Sequence, residues 1–389
     1  MKRIRQKRKG LRIIISSATI DAEKFLEFFL GGSNFTSATK SDQEQGTIIS
    51  VDGRQHPVDI LYLEKPARDY IQSMVETAWQ IHRNEGFGDI LCFLPSGEDI
   101  DRAIRLAEEQ FHGEATSRPV DLLPLYGTLP FHMQARVFQQ SSAAATKQQQ
   151  KGSSSNPRRI IWSTNTAETS ITVPNIRYVI DSGPVKLPYF DPRTALERLI
   201  VSPTSQASAR QRAGRAGRIS AGKYFRLYTE DFLWNNMLPQ TPPEILRTNL
   251  AGFILTLKAL GIDNILAFDV LDIPSVDSLS YGLEVLHALG AIDDKTRLTD
   301  TGLKMARFSV EPVVAKMLLE SSQQSCAWEI LSVAAAFQVH DLFSKPRSSR
   351  QQVQMDYNDA MAQIADNSGD HVTYANLLAE EHLSAEECR

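Results

Sequence analysis

Residues 11–230 repeat one unit, a short continuous apolar run followed by a stretch with helical spacing. Arg12–Ser16 (RIIIS), Asp89–Leu94 (DILCFL), Arg159–Ser163 (RIIWS) and Arg177–Asp181 (RYVID) are apolar on both sides of the pleat. Only a strand covered on both faces needs that pattern, so these four segments read as buried parallel strands. Asp69–Arg83, Glu98–Phe111 and Pro130–Gln139 carry helical periodicity between them. Val58, Ile60 and Tyr62 alternate with polar neighbours and predict a half-buried strand nearer an edge. Repeated strand–helix–strand units predict an α/β sheet with right-handed crossovers and functional loops at the carboxyl ends of its strands.

Past residue 230 the pattern turns helical. Thr241-Pro242-Pro243-Glu244 has the form of a capping box, followed by Leu246, Leu250, Phe253, Ile254 and Leu257 at helical spacing, with Gly261 as the stop. A second helix is expected over Asp277–Leu289, ending at Gly290. A small hairpin then spans Ala291–Leu298, another helix follows Thr301, and more helices come after Val313. Helices followed by a β-wing predict a winged-helix module. It lacks a basic recognition helix, so a structural role is expected rather than DNA reading.

Composition narrows the classes. Of 389 residues, 42% are hydrophobic and 23% charged, which excludes wholesale disorder. No apolar stretch approaches a membrane span, and no signal-peptide pattern opens the chain, so a soluble intracellular protein is expected. Three widely separated cysteines (Cys92, Cys326, Cys388) argue against a disulfide framework or a zinc site. The net charge of −4 conceals an uneven distribution. Residues 2–9 hold six basic groups, and the remainder carries 36 basic against 46 acidic groups. A global basic field does not recruit its ligands. The basic run is open to three readings: a solvated helix end, a nuclear-import signal or a phosphate contact. Gly31–Gly46 reads as an inter-domain connection. Gln140–Pro157, without one large apolar residue, reads as a surface insertion.

The sharpest local signal is Gln211-Arg212-Ala213-Gly214-Arg215-Ala216-Gly217-Arg218. On a helix, Gln211, Arg215 and Arg218 fall within about 60° of one another, Arg212 about a quarter-turn away, and the glycines on the other side. Two guanidiniums and an amide converging on one spot make a receptor for a polyanion such as the outer phosphates of a nucleotide. Two mid-helix glycines weaken a helix unless something must approach closely. Ser163–Thr172 (STNTAETSIT) places small hydroxyl and amide groups directly after a strand. Such a run suits phosphate contacts, or a loop with a helix cap. Ser17-Ala18-Thr19 follows another strand candidate and acquires meaning only from this order.

In that order the three segments resemble motifs III, V and VI of superfamily 2 helicases, in the spelling of the DEAH-box RNA helicases. The resemblance continues through Gly88–Leu94, Leu123–Tyr126, Pro243–Leu250, Lys258–Ile262 and Gly369-Asp370-His371, and looks closest to spliceosome-associated members. It implies an α/β RecA-like helicase C-terminal domain of the P-loop NTPase type, followed by an α-rich winged-helix domain and the start of a helical ratchet domain. On that pattern residues 1–35 would be the tail of a first RecA-like domain and 36–47 a linker. The second RecA-like domain would span 48–230, with the insertion at 140–157, the winged helix 231–300 and the ratchet 301–389.

The resemblance further implies that Gln211, Arg215 and Arg218 contact the γ-phosphate of ATP, the last two as arginine fingers. Phe138 would stack on adenine, its alternative being a core Phe at a helix end, and Thr172 would lie near the ribose. Thr164 and Asn165 would touch the RNA backbone. Ser17, Ala18 and Thr19 would couple nucleotide state to RNA grip. Val185–Ser205 matches the family's β-hairpin, where Tyr189 and Phe190 either stack on a base or pack the hairpin down. The sequence has no GxxxxGK[ST] loop and no DEAH tetrapeptide. Both belong upstream in the family, together with most ligands of Mg²⁺, so the chain alone is expected to be inactive. Pro95–Asp99, Gly127 and Pro174 depart from residues common in the family. RNA and spliceosomal or activator proteins are the implied partners, no membrane is involved, and the compartment would be the nucleus. The rival reading is a truncated, non-catalytic RNA- or protein-binding paralogue.

Overall fold

The computed structural model describes residues 2–8, 10–17, 21–30, 46–51, 56–112, 119–139, 157–168, 171–339, 343 and 351–379. The inter-domain connection expected at 31–46 (all but its last residue) and the insertion at 140–157 (all but Pro157) lie outside them. The chain divides into two compact units, one formed by residues 1–187 and 199–242, the other by 188–198 and 243–389.

The first unit opens with helices α1 (Lys2–Lys7) and α2 (Ala22–Leu30). Between them Arg12–Ser16 is not a strand. It joins neither edge of the sheet, and Ile14 (91%) and Ile15 (43%) face solvent. An apolar run satisfies only one condition for a buried strand, and a hydrogen-bonding neighbour is the other.

From β1 (Val58–Tyr62) onward the alternation holds: α3 (Tyr70–Asn84), β2 (Asp89–Phe93), α4 (Gly97–His112), β3 (Val120–Leu125), α5 (Phe131–Phe138), β4 (Arg158–Ser163) and β5 (Ile176–Asp181). A two-stranded excursion, β6 (Pro184–Asp191) and β7 (Leu196–Pro203), precedes α6 (Gln206–Ala216), β8 (Gly222–Arg226) and α7 (Glu230–Asn235). The sheet runs β1-β8-β5-β2-β4-β3 with every pair parallel. β2 is buried along its whole length, and its alternating residues fill two cores. Ile90 and Cys92 join Ile160, Trp162, Tyr178 and Ile180 beneath α3 and α4, whereas Leu91 and Phe93 join Ile161, Val179 and Tyr224 beneath α5 and α6. β2 connects past β4 to the edge strand β3, and β4 returns past β2 to β5.

One buried ion network crosses the second of these cores. Asp181 ends β5 with no exposure, and its Oδ1 accepts from Arg212 Nη1 (2.6 Å) and the Gly183 amide (2.9 Å). Its Oδ2 accepts from the hydroxyls of Tyr224 (2.5 Å) and Tyr228 (3.2 Å). Arg212 also donates Nε to Glu168 Oε2 (3.0 Å) and lies 4.8 Å over the Phe93 ring. Burial alone would favour a neutral guanidine, but Asp181 and then Glu168 outweigh it and raise the Arg212 pKa. Burial, then the Asp181 charge, holds the Tyr224 hydroxyl well above its ordinary pKa, so it stays a donor.

Where the first unit ends, the capping box expected at Thr241–Glu244 does not form. Thr241 Oγ1 donates to Ser205 Oγ (3.1 Å), and Glu244–Leu246 makes only a 3₁₀ turn. The helix starts later, as α8 (Ala251–Ala259), where Asn249 Oδ1 accepts from the Ala251 amide (2.9 Å). Gly261 stops it at φ +79. α9 (Val276–Ala288) is capped by Ser275 and ended by Gly290 at φ +69. The expected wing is reduced to one antiparallel bridge, Ile292–Leu298. The helix after it, α10 (Asp300–Met305), is capped by Thr299. α11 (Pro312–Ser321), α12 (Ala327–Gln338), α13 (Gln351–Ile364) and α14 (Asp370–Ala379) follow. No described helix is long and apolar enough to cross a membrane.

Removing one partner of a buried ion pair strands the other, so Asp181→Ala should destabilise the first unit by about 3–5 kcal/mol in urea unfolding. An unchanged midpoint would contradict the network's role. A Cβ at Gly302 would stand 2.1 Å from the Ala291 carbonyl oxygen. Gly302→Ala should therefore lower the second unit's stability by about 1–3 kcal/mol, read by thermal unfolding.

Candidate functional site: a paired-arginine face

Ser205 starts α6 by accepting the Ser208 amide (3.1 Å), and the helix ends at Ala216. Arg218 is therefore outside it, and the single helical face expected for Gln211, Arg215 and Arg218 is interrupted. The reason lies at Gly217. Its carbonyl accepts the His56 amide (2.9 Å), and a Cβ there would meet the His56 carbonyl oxygen at 2.6 Å. The close approach that a glycine permits is to the backbone leading into β1. Gln211 sits one turn before Arg215, half-buried.

The three arginines occupy three environments. Arg212 is locked in the buried network. Arg215 is 9% exposed and donates to two carbonyls of the loop after β4, Ile171 (3.1 Å) and Glu168. Arg218 is exposed and donates to Thr172 Oγ1 (2.5 Å). Burial lowers the Arg215 pKa, and the Arg218 charge lowers it further, with Glu168 opposing. A nearby anion would oppose both effects. Arg212 places Glu168, and the Glu168 carbonyl in turn places Arg215.

These groups are not at the carboxyl ends of the strands. Thr172 precedes β5, Arg218 precedes β8, and the Asn175 carbonyl accepts the Asp89 amide (3.0 Å) where β2 begins. Arg215, Arg218 and Thr172 thus gather at the amino-terminal edge, opposite to the expectation. Thr164 and Asn165 do sit at the carboxyl end of β4. The Thr164 amide donates to Leu125 O (3.2 Å), its hydroxyl lies 3.0 Å from that of Thr166, and Asn165 is exposed. The sheet therefore separates the two groups of candidates.

Phe138 ends α5 and is 40% exposed, not packed as a core residue. Tyr189 and Phe190 fall within β6, ahead of the turn, and part company. Tyr189 is 44% exposed, while Phe190 is 5% exposed, 5.0 Å from the Tyr281 ring, with its amide on Arg247 O (2.8 Å). Phe190 packs the hairpin down and offers no open ring face for stacking. Ser17 is exposed, and Ala18 and Thr19 lie outside the described residues. Sequence reasoning missed Asp181, Glu168, Asp89 and Arg159, all buried charges. Among the described residues no group of three acidic, His or Cys side chains could hold a metal ion.

The chain is similar to known proteins along most of its length. Residues 72–220 match the helicase conserved C-terminal domain, 282–310 the winged-helix part of the helicase associated domain (HA2), and 311–374 its ratchet-like part. The chain is 43% identical over 382 residues to the human probable ATP-dependent RNA helicase DHX35, covering 97% of this chain and 51% of that protein. It is 40% identical to the pre-mRNA-splicing factor ATP-dependent RNA helicase prp22 of Schizosaccharomyces pombe, covering 95% of this chain and 29% of that protein. The crystal structure of the E. coli DExH-box NTPase HrpB superposes with a TM-score of 0.66 at 29% identity, covering 97% of this chain and 41% of that one. The chain thus spans about half the length of DHX35 and less of prp22. With a helicase C-terminal parallel sheet followed by winged-helix and ratchet-like HA2 domains, it belongs to the DEAH-box RNA helicase family.

Proposed function

We propose that this chain is the C-terminal part of an ATP-dependent RNA helicase that couples ATP hydrolysis to movement along RNA in pre-mRNA splicing. The observation that carries the reading is the Arg215–Arg218 pair, two guanidiniums whose mutual repulsion an incoming phosphate relieves. Arg215 and Arg218 act as fingers on the γ-phosphate with Gln211 beside them, Thr172 meets the ribose and Phe138 stacks on the adenine. In phosphoryl transfer, charge builds on the equatorial oxygens of the transferred group, and fixed cations there stabilise the transition state more than the ground state. The hydrogen bonds that Arg215 makes to Glu168 and Ile171 hold its guanidinium in place before the reaction.

Thr164 and Asn165, at the other end of the sheet, contact the RNA backbone, and Tyr189 on its hairpin meets a base. Ser17, Ala18 and Thr19 couple nucleotide state to RNA grip. The domain order is the tail of a first RecA-like domain (1–35), a linker (36–47), the second RecA-like domain (48–230), a winged helix (231–300) and a ratchet domain (301–389). A phosphate loop, a DEAH segment and the Mg²⁺ ligands are supplied by sequence outside this chain, which alone is inactive. The splicing role and a nuclear location rest on the relative named as a splicing factor. Spliceosomal or activator proteins are the partners that go with it.

In the full-length protein, Arg215→Ala and Arg218→Ala should each lower RNA-stimulated ATP turnover by about 10³-fold. Near-wild-type turnover would refute the finger assignment. The purified chain should hydrolyse no ATP above background with saturating RNA, and RNA-stimulated turnover by it would refute the half-site reading.

A further inference from the structure

Two successive arginines open β4, both buried, and they do different things. Arg158, 1% exposed, donates to the carbonyls of Ile81 (2.7 Å), Glu85 (2.9 Å) and Gly86, and so finishes α3. No candidate ligand-binding residue lies there. Arg159, 3% exposed, is held by Asp89: Nε and Nη2 donate to Oδ2 (2.8 and 2.6 Å), and the Arg159 amide donates to Oδ1 (3.0 Å). The carboxylate uses one side of the planar fork and fixes its orientation. The remaining donors reach two separate segments. Nη1 donates to Val137 O (3.0 Å) and Gln139 O (3.4 Å), the carbonyls on either side of Phe138. Nη2 donates to Pro174 O (2.9 Å), two residues past Thr172. On its far side that loop is held by Arg215 and Arg218. One rigid guanidinium thus joins the segment carrying the base-side residue to the loop carrying the ribose-side residue.

We propose that Arg159, oriented by Asp89, is a positioning residue for the nucleotide, fixing the spacing between Phe138 and Thr172. The inference rests on the ATP-site reading above and adds a residue that touches no substrate. A lysine at 159 keeps the charge toward Asp89 but cannot hold both segments at once, because its ammonium is a point donor. The base and ribose contacts then loosen, whereas the Arg215 finger, held by the Glu168 and Ile171 carbonyls, remains in place.

The test is steady-state RNA-stimulated ATP hydrolysis by the full-length protein carrying Arg159→Lys, Arg158→Lys, Phe138→Ala, or Phe138→Ala with Arg159→Lys. Arg159→Lys should raise the KM for ATP about five- to tenfold with kcat within about twofold, the pattern of lost uniform binding. Arg158→Lys should lower the melting temperature and leave KM unchanged. The double variant should raise KM by less than the product of the two single effects, because both changes remove the same base contact. The proposal is overturned if the two lysine variants shift KM equally, or if the effects of Arg159→Lys and Phe138→Ala multiply. If Phe138→Ala raises KM and Arg159→Lys does not, the positioning role fails and the base-contact reading stands. If Phe138→Ala leaves KM unchanged, the base-contact reading fails and the positioning role falls with it. Should Arg159→Lys not fold, Asp89→Asn, which keeps the acceptor and removes the charge that orients the fork, carries the same comparison.

Discussion

The ion pair between Asp181 and Arg212 holds the candidate site together. A guanidinium buried against a phenyl ring is stable only if both its charge and its donors are met, and Asp181 with Glu168 meets them. In doing so they fasten three parts of the chain: the end of β5, the loop after β4, and α6. Glu168 serves twice, its carboxylate on Arg212 and its carbonyl on Arg215. Arg215 therefore stands on the more deeply buried Arg212, and its position follows from chemistry in the core.

A second consequence is the division of labour across the sheet. Parallel strands have two unlike edges, and a loop that crosses from the end of β4 to the start of β5 visits both. Thr164 and Asn165 stay at the carboxyl edge, while Thr172 is carried to the amino edge beside Arg218. The stretch from Thr164 to Thr172 thus spans a candidate RNA surface and a candidate nucleotide surface. Arg159 and Arg215 brace the loop near its amino-edge end.

Much of this was legible in the sequence, for identifiable reasons. β2, β4 and β5 were readable because a strand covered on both faces must be apolar throughout. Helix ends at Gly261 and Gly290 were readable because only a residue tolerating positive φ ends a helix that way. Arg12–Ser16 misled because apolar content says nothing about a pairing partner. Thr241 misled because a hydroxyl takes whichever acceptor folding brings near, here Ser205. Periodicity gave the angles of Gln211, Arg212 and Arg215 but not what lies behind each. The partners of Arg212 are 31 and 44 residues away, beyond any local pattern. Arg159 was legible only as the first residue of a predicted strand, and the fold alone reveals it and Arg158 as buried clamps. The opposite fates of Tyr189 and Phe190 follow from their place within β6, where neighbours alternate faces.

The account stands on Arg215 and Arg218 stabilising charge that develops during phosphoryl transfer. The most direct measurement is the affinity of the full-length protein for ADP with aluminium fluoride, a mimic of the transferring phosphoryl group, relative to ADP alone. The account predicts that wild-type protein prefers the mimic strongly, and that Arg215→Ala or Arg218→Ala abolishes the preference while ADP affinity is retained. A preference that survives both substitutions would contradict it.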